Sequence, residues 1–276
     1  MTVEQRLPAT LASKHGGIGV RRLASDPVGR WLAAGWADIK RSPAASLIPG
    51  CVCALAGYLV LAVVLIDGIS ILLFPLIGGF LLIAPWMALE FYEISRRHAL
   101  NQPVRPLMMI AAVRRNPLRL AAMGALLLFM LFVWIWSAFV VFVVCFGLDP
   151  DADLLLAGFY GLSPLFFLVF SNLVGAVLAA LAFASCFVGL PMLLDRKAGL
   201  PTAIATSWRA CIANPRIVFG WAVVIVLATA LAMLPALLGL IVVFPLLGHA
   251  TWHAYRDLVV IDPAPHTETP TIRLYL

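Results

Sequence analysis

Charged residues are scarce in this chain. They make up 12% of its 276 residues, where soluble domains usually have about 25%. Hydrophobic residues make up 63%, and the mean hydropathy is +1.03. This amount of polar surface is too small to cover a water-soluble globule. The composition therefore excludes the ordinary classes of soluble protein and predicts a chain that folds in lipid. At about 20 residues per span, the length leaves room for roughly six membrane-spanning helices.

Recognisable catalytic motifs are also missing. The sequence has no GxSxG elbow, Walker-type phosphate loop, HExxH zinc motif or dinucleotide fingerprint. We therefore expect neither a standard hydrolase nor an ATP-driven pump, and we predict that the protein is not an enzyme and needs no cofactor. Cysteine is sparse as well. The five cysteines include no CxxC pair and fit small apolar packing residues better than a disulfide framework.

Long apolar runs fill most of the chain. They are Ala44–Ile66, Ile69–Phe91, Leu118–Gly147, Pro164–Leu190, Ile217–Met233 and Ala236–Tyr255. As one helix, the uncharged stretch covering the last two runs would be roughly 60 Å long, about twice the thickness of the hydrocarbon core, so we expect a turn at Leu234 and Pro235. The Asp67-Gly68 pair predicts another tight turn. The predicted fold class is therefore all-α, a polytopic bundle of six transmembrane helices arranged as three hairpins.

The basic residues predict the orientation. All 19 Lys and Arg residues lie in four patches, and a pair of apolar runs separates each patch from the next. The alternate loops carry only acidic charges, namely Asp67, Asp149, Asp151 and Asp153. The positive-inside rule therefore places both termini and every basic loop in the cytoplasm. We expect cytoplasmic tails at residues 1–30 and 262–276, with no secretory signal, around a transmembrane domain at 31–261. The net charge of +6 predicts contact with anionic phospholipid headgroups, not with nucleic acid.

An internal repeat accompanies the basic patches. Three similar segments precede alternate runs: GWADIKRSP up to Pro43, IAAVRRNP up to Pro117 and SWRACIANP up to Pro215. A large apolar residue lies seven positions before each proline: Trp36, Ile110 and Trp208. We interpret each segment as an amphipathic interfacial helix that ends at the Ser or Asn before proline, and this residue should cap the next helix. The three repeats, about 31–94, 104–194 and 202–258, would surround a pseudo-threefold axis along the membrane normal.

The 3.6-residue period predicts the faces of these interfacial helices. In the first copy, the apolar face carries Trp36 and Ile39, and the opposite face carries Asp38. In the third copy, the apolar face carries Trp208 and the opposite face carries Thr206. We therefore interpret both segments as helices that lie in the membrane interface.

Four segments together resemble a known family. FPLIGGFLLIAPWMALEFYEISRR, GLPMLLDRK, SWRACIANP and GLIVVFPLLGHATWHAYRDL are similar to the bacterial integral membrane family called domain of unknown function 2189. The resemblance extends over about residues 31–260. It implies a bacterial inner-membrane protein with six helices and no assigned activity. It supplies no catalytic residues that could be transferred to this chain.

A few polar residues near helix ends are candidates for a ligand site. His249 and His253 are four residues apart on one face of the sixth helix, a spacing that lets two imidazoles bind one metal or face a haem. Glu90 and Glu93 lie at a similar stage of the second helix, so the four residues are candidate metal ligands. The alternative is interfacial anchoring, with Glu93 paired to a nearby arginine.

Three functions remain open at this stage. The first is a noncatalytic accessory or assembly partner of another membrane complex, because intramembrane polarity is sparse. The second is a small-solute transporter or channel along the pseudo-threefold axis, whose few possible lining residues are Ser46, Ser137, Ser171, Asn172, Thr229 and Glu90. The third is a metal or haem protein that uses His249 and His253.

Overall fold

The computed structural model describes residues 18–24, 27–66, 84–147 and 162–261. These residues form ten helices and one pair of short strands. The elements are β1 Ile18–Val20, α1 Val28–Arg41, α2 Pro43–Ile66, α3 Leu89–Ala99, α4 Met109–Val113, α5 Pro117–Phe146, α6 Leu162–Cys186, α7 Gly189–Asp195, α8 Leu200–Ala213, α9 Pro215–Met233, α10 Leu240–Leu258 and β2 Val259–Ile261. The predicted helical class is therefore confirmed.

Several of these helices could cross a membrane. Three are long and apolar enough: α5, the combined length of α6 and α7 counted from Leu165, and α9. A fourth candidate is the pair α1 and α2, which bend by 103° at their junction. The run at 69–91 lies mostly outside the described residues. The sixth predicted span falls on α10, which has 19 residues but a polar C-terminal half, HATWHAYRDL.

The junction before each repeat proline has the same backbone shape. Ser42 and Asn214 each separate a short helix from a long one, with φ/ψ of −142°/69° and −131°/51°. Asn116 has similar angles, −152°/63°, and two turn residues lie between it and the short helix. The following helix begins at the proline in every case. The predicted helix stops are thus confirmed, because the residue before proline avoids the αR conformation.

The predicted capping role of these junction residues is wrong for both asparagines. Neither Asn116 nor Asn214 makes a side-chain hydrogen bond to cap the helix that follows. Instead, Asn116 Nδ2 donates to the carbonyl of Leu193 at 3.1 Å. Asn214 Nδ2 donates to the carbonyl of Arg21 at 3.0 Å, and its Oδ1 accepts from the backbone N–H of Leu23 at 2.9 Å. The side chains connect each junction to a distant segment, which competes with the cap.

The predicted turn near Leu234 is confirmed. α9 ends at Met233, and six turn residues precede α10 at Leu240. The other predicted turn, at Asp67-Gly68, lies outside the described residues, although α2 ends at Ile66, directly before it.

The protein core lies at one end of the bundle. Most buried side chains belong to α1, α3, α7, α8 and the C-terminal half of α10, which we call the short-helix end. Trp31 of α1 is 1% exposed and packs edge-on against Trp221 of α9, with ring centroids 5.7 Å apart. By contrast, the long helix α5 has only 11% of its most apolar 18-residue window buried. The long helices therefore extend away from a common packed end.

The structure separates the two predicted faces of the interfacial helices, with the exception of Ile39. Asp38 lies on the buried face of α1 together with Ile39, whereas Trp36 is 43% exposed. In α8, Thr206 is buried and Trp208 is 38% exposed. Small and polar residues face the protein because they permit close packing and hydrogen bonds, while lipid can accommodate the large apolar side chains on the outside.

The folded region begins earlier than predicted. Residues 18–20 pair antiparallel with residues 259–261, so that Ile18 faces Ile261 and Val20 faces Val259. The α1 helix starts at Val28, before the predicted boundary at residue 31. β2 ends at Ile261, the last residue of the predicted transmembrane domain.

Candidate functional site

A buried carboxylate is the centre of the candidate site. Asp38 Oδ1 lies 2.9 Å from His98 Nδ1, and Asp38 Oδ2 lies 2.9 Å from His253 Nε2. Ser95 Oγ donates to the same Oδ2 at 2.6 Å. A carboxylate can only accept hydrogen bonds, so both imidazoles donate an N–H to it. Three donors from two helices, α3 and α10, thus converge on one side chain of α1.

The hydrogen bonds continue beyond the carboxylate. Ser95 Oγ lies 2.7 Å from His249 Nδ1, and His249 Nε2 lies 3.0 Å from Ser46 Oγ. The only hydroxyl hydrogen of Ser95 goes to Asp38, so Ser95 must accept from an N–H on His249 Nδ1. The neutral tautomer of His249 then satisfies the chain, because its Nε2 can accept from Ser46.

A second branch leaves from His98. Because His98 Nδ1 carries the hydrogen that Asp38 accepts, its Nε2 can accept from Ser42 Oγ, which lies 2.9 Å away. We call the whole set the Asp38 network: Asp38, Ser42, Ser46, Ser95, His98, His249 and His253. Every member except His253 and Ser42 is less than 9% exposed. The side chain of His253 is 32% exposed, so this imidazole connects the buried carboxylate to the surface of the protein.

Local packing positions these side chains. An ideal Cβ at Gly35 would lie 2.9 Å from the backbone nitrogen of Ala250, so α1 touches the backbone of α10 directly. A Cβ at Gly50 would lie 2.4 Å from the carbonyl oxygen of Ile241, so α2 also touches α10. On the other side of α10, Phe91 of α3 packs against Gly248. The two histidines of α10 therefore meet Asp38 and both serines because small residues let the helices approach closely.

The charge of Asp38 is stabilised although the group is buried. Burial raises the pKa of this carboxyl, but the hydrogen bonds from His253, Ser95 and His98 outweigh that effect and hold the pKa well below its usual range. Asp38 is therefore an anion at neutral pH, surrounded by imidazoles that supply N–H donors.

Glu90 and Glu93 have partners of their own. Glu90 Oε1 accepts from the backbone N–H of Met108 at 2.7 Å, at the start of α4. Glu93, with a side chain 1% exposed, accepts two hydrogen bonds from Arg96 at 2.8 and 2.9 Å and one from Arg97 at 2.8 Å. Burial raises the pKa of Glu93, but the arginines lower it by a larger amount, so the net shift of the pKa is downward. Both glutamates stabilise the short-helix end.

The four candidate metal ligands are thus divided among separate interactions. The histidines belong to the Asp38 network, and the glutamates bond to the backbone of α4 and to arginines. Within residues 18–24, 27–66, 84–147 and 162–261, no group of three or more His, Cys, Asp or Glu side chains is arranged to hold a metal ion. His98 Nδ1 and His253 Nε2 each bond directly to the carboxylate of Asp38 at 2.9 Å.

Sequence reasoning did not select most of this network. It selected His249 and His253, and it considered Ser46 as a lining residue. It assigned Asp38 only to the face opposite Trp36 and did not single out Ser95 or His98. One signal was available, since Asp38 is the only acidic residue between residues 27 and 66 and stands in a basic stretch. An isolated acid in such a stretch favours a specific partner over solvation.

The fold and the site together define a helical integral membrane protein with a buried Asp, His and Ser network at one end of its bundle. Residues 73–195 match the family described as "Predicted integral membrane protein (DUF2189)", which confirms the resemblance over that part of the chain. The segments at 207–215 and 239–258, on which the resemblance also depended, lie outside the match. No curated protein and no solved structure matches the chain.

Proposed function

We propose that the chain is a noncatalytic accessory protein of a bacterial inner membrane, which packs laterally against another integral membrane protein. In this proposal six helices span the bilayer as three hairpins, and both termini lie in the cytoplasm. The observation that carries it is an exposed aromatic strip on α5, formed by Phe132, Trp136 and Phe139.

The contacts between helices support the three-hairpin arrangement. The short helix α4 packs on α3, which ends the first repeat, and α8 packs on α6 and α7, which end the second. The first short helix, α1, packs most extensively on α10, which ends the third repeat. Each repeat thus contacts the end of the preceding one, and the first closes the ring on the third. The large apolar residue seven positions before each proline is exposed in all three copies: Trp36, Ile110 and Trp208.

The α5 aromatic strip supports lateral packing. Phe132 and Trp136 are stacked with ring centroids 6.3 Å apart, and Trp136 and Phe139 are 5.8 Å apart. All three rings are at least half exposed, at 62%, 58% and 50% respectively. Among the described helices, α5 packs mainly on α6 and leaves this strip uncovered. Rigid aromatic side chains are typical anchors of protein interfaces, where they bury much area at little cost in conformational entropy.

Photocrosslinking in intact membranes tests this proposal. A photoreactive residue replaces Phe132, and the control replaces Val226 of α9, which is exposed to a similar degree at 65%. We expect one discrete protein adduct from position 132 and lipid adducts alone from position 226. Lipid adducts from both positions, or the same protein adducts from both, would contradict the proposed role of the strip.

A second candidate function is a proton-linked transporter of a small solute, and the Asp38 network favours it. The network joins half-exposed His253 to fully buried His249 through a carboxylate and a serine, which is the composition of a proton relay. In contrast, the hydroxyl of Ser137 bonds to a carbonyl of its own helix and does not extend a polar path. Proton uptake by proteoliposomes under a pH gradient tests the relay. Uptake no faster than in empty liposomes, or unchanged by His249→Gln, would exclude it.

A further inference from the structure

A second polar site lies beside the strand pair, away from the Asp38 network. It is a cavity of about 200 Å³ lined by Arg21, Arg196, Tyr255, Arg256, Val259 and Val260. The elements that form it are β1, the C-terminal end of α7 and the junction of α10 with β2. Three of the six residues that line this cavity at the short-helix end are therefore arginines.

The backbone fixes the position of Arg21 in this cavity. Its N–H donates to the carbonyl of Leu258 at 2.8 Å, in continuation of the β1–β2 pairing. Its carbonyl accepts from Asn214 Nδ2, so the segment after β1 is also attached to the junction of α8 and α9. The charged end of Arg21 is exposed, while the residue's main chain is tied on both sides.

The charges around the cavity do not balance. Asp195 is the carboxylate of this site. Its Oδ2 accepts from Tyr255 Oη at 2.9 Å, pairs with Arg196 Nε at 3.0 Å and forms a longer ion pair with Arg256 Nη1 at 3.7 Å. Across the described ranges, no carboxylate lies within ion-pair distance of Arg21. Among the described residues of this site, three positive groups thus meet one negative group, and this excess of positive charge favours an anionic ligand.

We propose that Arg21, Arg196 and Arg256 bind the phosphate group of an anionic ligand. The forked donors of arginine match the oxygens of a phosphate, and several of them converge here on one cavity. The cavity is smaller than the about 300–1,000 Å³ that is usual for sites of drug-sized ligands, which favours a headgroup-sized anion. Two sources share this chemistry: the headgroup of an anionic phospholipid and a free phosphate compound. The inference does not depend on the proposed lateral partner.

Full-length protein in mild detergent serves for the test. In the lipid arm, native mass spectrometry compares retention of phosphatidylglycerol and phosphatidylcholine supplied in equal amounts. In the soluble arm, calorimetry measures binding of inorganic phosphate and of glycerol phosphate. The variants are Arg21→Gln and Arg256→Gln, and the matched control is Arg209→Gln, an exposed arginine of α8 outside the cavity. Unchanged helical circular dichroism shows that each variant has folded.

The outcomes separate the two sources and can reject the site. If either variant weakens retention of phosphatidylglycerol about tenfold, the site binds a lipid headgroup. A tenfold change is the effect of losing one charge-assisted hydrogen bond. If the same variants instead weaken the binding of phosphate in detergent, the ligand is a soluble phosphate compound. The control should change neither value by more than about twofold. Equal weakening by Arg209→Gln, or no anion preference in either arm, overturns the proposal.

Discussion

Replacing Asp38 with alanine should destabilise the protein strongly. The substitution removes the acceptor for Ser95, His98 and His253 together. His253 is half exposed and can turn to water, but Ser95 and His98 are buried, at 1% and 6% exposure. Each buried donor without a partner costs about 1–3 kcal/mol, so the two should lower the free energy of unfolding by about 2–6 kcal/mol. Denaturant titration in mild detergent, followed by helical circular dichroism, measures this value.

The matched control is Asp257→Ala. Asp257 lies on the same helix interface, but its side chain is 36% exposed and it accepts one hydrogen bond, from Trp31 Nε1. Because Asp257 is partly exposed, water can replace it as the acceptor of the Trp31 N–H, so this loss should cost only about 1 kcal/mol, the low end of the range for an unsatisfied donor. If Asp38→Ala costs no more than the control, the network does not stabilise the fold and the reasoning is refuted.

The pH dependence of the same variant has a definite sign. The pKa of Asp38 in the folded protein lies below its ordinary value of 3.8. Its stabilising effect is therefore complete above about pH 4 and is lost as the pH falls further, towards the folded pKa. The stability difference between the wild type and Asp38→Ala should shrink over that acidic range. A difference that stays constant there would show that the carboxylate charge contributes nothing.

Three further predictions concern packing, a helix break and topology. Gly50→Ala should lower the free energy of unfolding by about 1–3 kcal/mol, because its Cβ would overlap the α10 backbone. Gly220→Ala should raise it by roughly 0.5–1 kcal/mol, because nothing lies within 4 Å of the added Cβ. Unfolding titrations that give equal effects for the two variants would contradict this prediction. Ser207→Ala removes the acceptor of the Val188 backbone N–H at the break between α6 and α7, so it should lower the free energy of unfolding by about 1–3 kcal/mol. Ser137→Ala loses only a hydrogen bond within its own helix and should lower it by less than about 1 kcal/mol in the same assay. Arg105→Cys should resist a membrane-impermeant thiol reagent in intact cells and react in inverted vesicles, and the reverse pattern would overturn the proposed orientation.

Local features of the fold could be predicted from the sequence because they depend on neighbouring residues. Proline determines where α2, α5 and α9 begin, since it suits the first turn of a helix and restricts the residue before it. The turn after Met233 follows from helix length against bilayer thickness. Both arguments need only a short segment of chain and one fixed physical dimension.

The Asp38 network could not be predicted in the same way. Asp38 and His253 are 215 positions apart, and no periodicity identifies which distant residue will meet a given side chain. Which face of each interfacial helix packs on protein could not be predicted for a related reason. In water the apolar face of a helix is its buried face, but near lipid large apolar side chains can remain outside, so Trp36 is exposed while Asp38 is buried.

Close backbone contact and the polar network require each other in this protein. Gly35 brings α1 against α10 at Ala250, and Asp38 lies one turn further along α1, where His249 and His253 flank the point of contact. A side chain at position 35 would push the two helices apart. The Asp38 to His253 distance of 2.9 Å leaves little tolerance, because hydrogen bonds weaken steeply as they lengthen beyond about 3.2 Å. A buried carboxylate can therefore exist on α1 only because a residue without a side chain precedes it by one turn.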